Sequence, residues 1–381
     1  MLSMIITIVL IALFIYGIIK KLNPAMLLII ISVITLGVWQ LVTGTSVMGE
    51  NATGSLFIDL FELIYATAKT QVAGALLVIM SVLGYVEYMN SIKASEYLAS
   101  IVAKPLRKIN KPYLLATAVI VLGTILKLAI PSSLSMIVML LAIVYPILIQ
   151  LGVSRATAAS AIMLSGFSAC GPGDVLSTVI FGMAEVKDKT VPEFFISHHI
   201  PITLALLLVL MIVFPLISIF FDKREKDTVT EEAQSIQLEE FSLPKIYALL
   251  PLIPLVLIIT FSKVVVGSIV ISVVAANLIS LVVSMIIHTI CKKDLIGGLN
   301  STRAFFNGMG RFFGNAGFIL IAGAVFSSAI TRIGGLTYLV NLIRNAGASP
   351  IILTFVACLI VFPVAICTGS VTAIIPLFLP L

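Results

Sequence analysis

The stretch VLGTILKLAIPSSLSMIVML, residues 121–140, holds the pattern that decides the fold, because a proline and three serines separate two apolar runs. The whole segment 113–150 is apolar on both sides of the PSSLS cluster, Pro131–Ser135. A helix needs about 20 apolar residues to cross about 30 Å of hydrocarbon. The segment therefore predicts either two helices joined by a tight turn or one re-entrant hairpin with its tip at Pro131–Ser135.

The composition predicts that this pattern lies in a membrane. Of the 381 residues, 60% are hydrophobic and only 10% are charged, and the mean hydropathy is +1.21. A soluble domain has about 45–50% apolar and about 25% charged residues, and a soluble chain this apolar would expose very large apolar patches. These values exclude a soluble enzyme, a nucleic-acid-binding protein and a secreted domain. They predict an all-α, multi-pass membrane protein.

Apolar segments of spanning length occur throughout the chain. The full-length candidates are 2–19, 25–42, 70–88, 157–184, 200–221, 246–262, 264–290 and 316–334. The apolar segment 350–381 is interrupted like 113–150, here by CTGSVT at residues 367–372. The only long hydrophilic stretch, 222–244, predicts a solvated linker between residues 1–221 and residues 245–381.

The parts before and after the linker resemble each other. Tyr97 matches Tyr338, 241 residues later, within similar segments, and Ser132 matches Ser370 with a spacing of 238. The order of the apolar segments also agrees. The sequence therefore predicts an internal repeat.

The distribution of basic residues predicts the sense of the repeat. With the N-terminus outside and 113–150 as a hairpin, 16 of the 23 lysines and arginines lie in the cytoplasm and 6 lie outside. Excess Lys and Arg mark cytoplasmic loops. The first repeat then enters from outside and the second from inside, so that the repeats are inverted, and the linker 222–244 is cytoplasmic.

Inverted repeats with interrupted helices are the sequence pattern of secondary transporters. Unwound backbone at membrane depth is tolerated where it is buried or lines a watered cavity. Its free amides bind anionic groups, and its carbonyls and nearby hydroxyls coordinate a small cation. Three interruptions fit: the tip Pro131–Ser135, the stretch Ser165–Asp174 inside 157–184, which a Gly-Pro-Gly run breaks, and Thr368–Thr372. The predicted substrate-binding residues are Ser132, Ser133, Ser135, Gly171, Pro172, Gly173, Thr368, Gly369 and Ser370.

Two charged residues at membrane depth need separate treatment. Asp174 is predicted to bind the coupling ion, a proton or sodium, with the hydroxyls of Ser168 and Thr372, because a carboxylate in a membrane is costly unless it pairs or ligates. Exposure to solvent is the alternative. Lys127 is predicted to attract an anionic substrate or to pair with Asp174, and its alternatives are snorkelling to the surface or a local structural contact.

Enzyme and cofactor chemistry is not predicted. His198, His199 and His288 have no metal-binding spacing, and the four cysteines form no C-x-x-C pair. Motifs such as H-E-x-x-H and G-x-S-x-G are also missing from the sequence. The sequence therefore predicts no metal, no cofactor beyond the coupling ion, and no catalytic residue.

Four stretches carry a resemblance to a known family. They are LASIVAKPLRKINKPYLL at 98–115, GVSRATAASAI at 152–162, Gly173-Asp174, and CTGS at 367–370. Here the sequence resembles the anaerobic C4-dicarboxylate carriers of the DcuC type, in the ion transporter superfamily. The resemblance implies an inner-membrane carrier that moves succinate or fumarate by proton symport or exchange. It also implies an elevator-like fold with one hairpin on each side, and a dimer in the surrounding lipid.

Carried over by position, the resemblance implies that the serines of Pro131–Ser135 form one tip, Gly171–Asp174 the adjoining broken helix, and Thr368–Ser370 the opposing tip. Three departures leave alternatives open. The tip PSSLS lacks the glycine typical of the family, Lys127 is unusual, and Leu381 corresponds to Ile143, which predicts a second repeat that is incomplete within its hairpin. The alternatives are a carrier of the same fold for another organic anion or an amino acid, and a truncated remnant that does not transport.

Overall fold

The computed structural model describes residues 2–104, 109, 111–167, 171, 191–224, 243–261, 266, 268–269 and 271–334. In these residues the secondary structure is helical throughout, as predicted. The α-helices are α1 (Leu2–Ile19), α2 (Pro24–Thr43), α3 (Leu56–Gln71), α4 (Leu77–Ser91), α5 (Ala94–Ala103), α6 (Pro112–Leu126), α7 (Ser133–Ile143), α8 (Tyr145–Gln150), α9 (Arg155–Ser165), α10 (Val191–Phe194), α11 (Ile200–Arg224), α12 (Ile253–Thr260), α13 (Val273–Lys292), α14 (Leu295–Ser301), α15 (Arg303–Phe312) and α16 (Phe318–Ile333). Three π-helical segments join α-helices, at Val72–Leu76, Phe195–His199 and Phe313–Gly317. Short 3₁₀ helices lie at Gly49–Asn51 and Lys245–Leu252.

Several of these helices suit a membrane. By length and composition, four described helices are able to cross one, at Pro24–Thr43, Pro192–Asp222, Val273–Lys292 and Leu295–Ile333. A fifth span is possible if the pair Leu56–Gly74 and Leu77–Ser91, bent by 47°, counts as one. Along α11, large apolar side chains such as Ile202, Leu208, Ile212 and Leu216 are exposed, which suits contact with lipid.

Two predicted spans have the wrong boundaries. The helix predicted at 70–88 begins at Leu56, because Asp59 in its first turn is buried and accepts hydrogen bonds from the hydroxyls of Ser46 and Thr53. The charged residue Asp59 therefore lies within α3 and does not mark a helix boundary. The segment predicted at 264–290 becomes helical only at Val273. The segment predicted at 246–262 is helical from Lys245 to Thr260, first as a 3₁₀ helix that contains Pro251 and then as α12.

The described residues form two compact units. The first unit contains residues 2–77 and 311–334. In it, α16 packs against α2 and α3, and α1 packs against α2. Its core includes Phe14, Leu28, Ile31, Leu36, Leu60, Ala322, Val325 and Phe326.

The second unit contains the described residues between 78 and 310. Its larger core joins α6, α7, α8, α9 and α11, through side chains such as Leu115, Val119, Leu140, Val144, Ile162 and Phe214. A second core places α4 against the 3₁₀ helix Lys245–Leu252, α13 and α15, through Tyr85, Tyr88, Tyr247, Leu281 and Phe305.

A local pattern of helix, π-helical segment, helix and left-handed residue occurs twice. The π-helical segments begin at Val72 and Phe313, and the helices that follow them begin at Leu77 and Phe318. These helices are followed by Lys93 with φ 59° and Gly334 with φ 76°. Each of these pairs is 241 residues apart, the spacing of Tyr97 and Tyr338 in the sequence. The shared local geometry is what an internal repeat produces.

Candidate functional site

The predicted break at Pro131–Ser135 is present in the second unit. α6 ends at Leu126, residues 127–132 are not helical, and α7 begins at Ser133. Pro131 has no N–H and disfavours helical geometry at the residue before it. The hydroxyl of Ser132 caps α7 and accepts a hydrogen bond of 3.3 Å from the N–H of Ser135. Since α8 contacts α6, the two arms lie side by side and the break is the tip of a hairpin.

Lys127 lies directly after α6, and its side chain is only 1% exposed. Its Nζ donates hydrogen bonds to the carbonyl oxygen of Pro131 (3.1 Å) and to the hydroxyl of Ser133 (2.7 Å). At 1.5 Å per residue, the 15 residues of α6 place Lys127 about 22 Å along the helix axis from Pro112. A lysine at the centre of a membrane helix costs about 2.5–3.5 kcal/mol on insertion scales. The oxygens of the tip offset part of this cost.

The end of α9 meets the same tip. α9 stops at Ser165, and the hydroxyl of Ser133 lies 3.5 Å from the carbonyl oxygen of Gly166, to which it donates. The structure therefore ends the helix predicted at 157–184 at Ser165, where the predicted interruption Ser165–Asp174 begins. The carbonyl oxygen of Gly166, just after this helix end, thus accepts from a hydroxyl of the hairpin.

Gly171 also lies against the hairpin. It has φ 129°, a conformation that favours glycine. A Cβ on Gly171 would lie 3.6 Å from the Cα of Leu128 and 3.6 Å from the carbonyl oxygen of Lys127. Gly171 therefore lies beside Lys127 and Leu128, the residues that lead from α6 into the hairpin tip.

Close packing of α6 on α9 fixes the position of the hairpin tip relative to the end of α9. A Cβ on Gly123 would overlap the Cβ and hydroxyl of Ser165, so that only glycine fits at this crossing. Small residues allow such close approach between helices in membranes. The crossing lies one helical turn before Lys127 and at the last residue of α9, and it therefore sets the distance between the tip and the end of α9.

The remaining predicted site residues lie outside the described residues. They are Ser168, Pro172, Gly173, Asp174, Thr368, Gly369, Ser370 and Thr372. Ser132, Ser133, Ser135, Lys127 and Gly171 are thus the predicted residues for which the structure gives positions. In the described part of the chain, no group of three or more His, Cys, Asp or Glu side chains is arranged to hold a metal ion.

A small cavity borders the hairpin tip and was not predicted. It is lined by Leu128, Ala129 and Pro131 of the hairpin and by Val82, Tyr85, Pro254 and Asn277. It has room of about 20 Å³ for water, and about 10–15 Å³ suffices for one molecule. The hairpin tip therefore borders a mainly apolar, water-sized space inside the second unit.

Two polar side chains of this cavity are tied to their neighbours. The hydroxyl of Tyr85 donates to the carbonyl oxygen of Leu250 (2.6 Å) and lies 3.0 Å from the hydroxyl of Ser284. The amide nitrogen of Asn277 donates to the hydroxyl of Ser81 (3.1 Å). The carbonyl oxygen of Leu250 also accepts a hydrogen bond from the N–H of Ile253, at the end of the 3₁₀ helix. Asn277 inside an apolar helix was the one signal in the sequence that pointed to this region.

Comparisons with known proteins agree on one family. The sequence model described as C4-dicarboxylate anaerobic carrier, DcuC, matches residues 2–381. The anaerobic C4-dicarboxylate transporter DcuC of Escherichia coli strain K12 is 26% identical over 333 residues, which cover 84% of this chain and 68% of that protein. The probable anaerobic C4-dicarboxylate transporter DcuC of Vibrio cholerae is 26% identical over 365 residues, covering 93% and 77%. No solved structure gives a significant match.

Proposed function

The chain belongs to the C4-dicarboxylate anaerobic carrier family, and on that premise we propose that it moves dicarboxylates such as succinate and fumarate across the cytoplasmic membrane. The transport is ion-coupled symport or efflux, or exchange. The observation that carries the proposal is the meeting of three groups at the hairpin: the ammonium of Lys127 bonds to Ser133, Ser133 bonds to Gly166, and Gly171 lies against the backbone of Lys127 and Leu128. Unwound backbone, hydroxyls and a positive charge converge there, as an anion site requires.

The first tip binds one carboxylate of the substrate in this proposal. The hydroxyls of Ser132, Ser133 and Ser135 lie at the start of α7, where unpaired amides and the helix dipole favour an anion. Hydrogen bonds to a carboxylate are roughly twice as strong as those between neutral groups. Pro172 and Gly173 extend the adjoining break, and Thr368, Gly369 and Ser370 of the second tip bind the other carboxylate.

The coupling ion binds beside the substrate. Asp174, with the hydroxyls of Ser168 and Thr372, takes up the proton or sodium ion whose gradient drives net transport. Lys127 adds a positive charge near the substrate carboxylate.

The proposed architecture is a pair of inverted repeats with re-entrant hairpins. Residues 1–221 form the first repeat and 245–381 the second, with the N-terminus outside and 222–244 in the cytoplasm. The common spacing of 241 residues between the two π-helical segments supports the repeat. We propose a homodimer in the inner membrane.

Counterflow in proteoliposomes tests the function. Vesicles with the purified protein and loaded with unlabelled succinate should accumulate labelled succinate, and external fumarate should compete. Ser133→Ala should lower the rate about 10-fold or more, since a lost hydrogen bond to a charged group costs about 1.5–3 kcal/mol. Ser91→Ala is the matched control, because Ser91 is exposed at the end of α4.

Two results would overturn the proposal. Preferred exchange of an amino acid or of citrate would favour a carrier of the same fold with a different substrate. Absence of exchange with every organic anion in the panel, in protein that is monodisperse, would reject the carrier function.

A further inference from the structure

The oxygens around the ammonium of Lys127 are the kind that coordinate an alkali cation. The carbonyl oxygen of Pro131 and the hydroxyl of Ser133 lie at 3.1 and 2.7 Å from Nζ, and this hydroxyl in turn donates to the carbonyl oxygen of Gly166. In transporters with broken helices, unwound carbonyls and the C-terminal ends of half-helices bind such ions. The oxygens around Lys127 are thus of the kind that would coordinate a free cation.

The position of Lys127 in the fold also suits a cation. It follows the last residue of α6, where the helix dipole places partial negative charge. The backbone at Gly171 passes over Lys127 and Leu128, and the side chain is 1% exposed. The charge is therefore enclosed beneath the tip and attached to the protein by its own side chain.

We propose that Lys127 is a tethered cation, whose ammonium takes the place and the charge of a coupling cation at the first hairpin tip. Dicarboxylate binding at this tip then needs no sodium ion. A tethered charge is not released on either side of the membrane, so it takes no energy from an ion gradient. Any ion that drives net transport binds elsewhere. This inference rests on the proposed transport function and deepens it.

The alternative is that Lys127 only holds the hairpin together. A merely structural hydrogen bond would be lost in a neutral variant without creating a response to free cations. A tethered cation leaves an empty cation site when the side chain is shortened. The two roles therefore predict different effects of Na⁺ or methylammonium on exchange by a variant at position 127.

Exchange assays with ion replacement measure this difference. The wild-type protein should exchange succinate for fumarate at the same rate, within about 2-fold, in Na⁺ and in choline. Lys127→Ala should be at least about 10-fold slower in choline and should recover in Na⁺ or methylammonium. Lys127→Met should be equally slow and should not recover, because its side chain fills the site. Lys69→Ala, which removes an exposed lysine of α3, should behave as the wild type.

A measurement of thermal unfolding in detergent does not depend on transport. Na⁺, compared with choline, should raise the midpoint for Lys127→Ala by about 3 °C or more, and it should raise the midpoint much less for the wild type and for Lys127→Met. Wild-type exchange that requires Na⁺, and that keeps this requirement in Asp174→Asn, would overturn the proposal, because the proposed coupling site is then removed. Undiminished exchange by Lys127→Ala in choline would do the same. If the wild type exchanges no dicarboxylate at all, the proposed function fails, whereas the unfolding series still decides the role of Lys127.

Discussion

Lys127, Tyr85 and Asn277 place polar groups inside the second unit, and each has a hydrogen-bonding partner there. Of these, Lys127 was recognised in the sequence because a charge interrupts an apolar run. Tyr85 was not, because a tyrosine in an apolar helix usually contributes its ring to packing. Its hydroxyl matters here because it joins α4 to the 3₁₀ helix Lys245–Leu252 through the carbonyl oxygen of Leu250.

At the same scale, Asp174→Asn tests the coupling site. The amide cannot take up a proton and binds cations more weakly, so we expect uptake against a concentration gradient to be lost, while succinate binding persists. Gradient-driven uptake in proteoliposomes is the measurement. Asp294→Asn serves as the control, because Asp294 is an exposed N-cap and asparagine caps helices equally well. Gradient-driven uptake that is unchanged in Asp174→Asn would remove this residue from the coupling mechanism.

At the scale of elements, the site depends on how two short helices end. α6 and α9 both stop near the same depth, and their close crossing at Gly123 and Ser165 brings the tip to Gly166. A helix that continued past Ser165 would pair the carbonyl oxygen of Gly166, which now accepts a hydrogen bond from the hydroxyl of Ser133. The hydrogen bond between Ser133 and Gly166 therefore needs both α6 and α9 to end where they do.

Gly123→Ala tests this crossing. The added methyl group overlaps Ser165, and overpacking of this kind costs about 1–3 kcal/mol. We expect a lower unfolding midpoint in detergent and reduced exchange. Gly310→Ala is the matched control, because a Cβ there meets nothing within 4 Å and alanine favours a helix. Equal stability of the two variants would show that α6 and α9 are less closely packed than the structure has them.

At the scale of the whole molecule, the matching local features at a spacing of 241 residues support the proposed repeat, while the proposed inversion depends on the orientation in the membrane. The charge bias along the sequence is the observation that supports the inversion. Thr45 lies in the loop between α2 and α3, which the proposal places outside, and Thr228 lies in the linker, which it places in the cytoplasm.

Cysteine accessibility tests the orientation. In a variant without native cysteines, Thr45→Cys should react with a membrane-impermeant maleimide in intact cells or spheroplasts. Thr228→Cys should react only after the membrane has been opened. Reaction of both residues from the same side would contradict the inverted repeats, and a reversed pattern would place the N-terminus inside.

The sequence by itself determined the membrane class, the family and the place of the break at Pro131–Ser135, because hydropathy and the loss of the proline N–H are local properties of the chain. It misjudged the start of α3, because the hydrogen bonds that bury Asp59 come from Ser46 and Thr53 in the preceding loop. Only the tertiary structure decided that Lys127 binds the tip's own oxygens and that Gly171 lies against Leu128. These contacts depend on how helices pack across an interface, and packing joins residues that no periodicity along the chain connects.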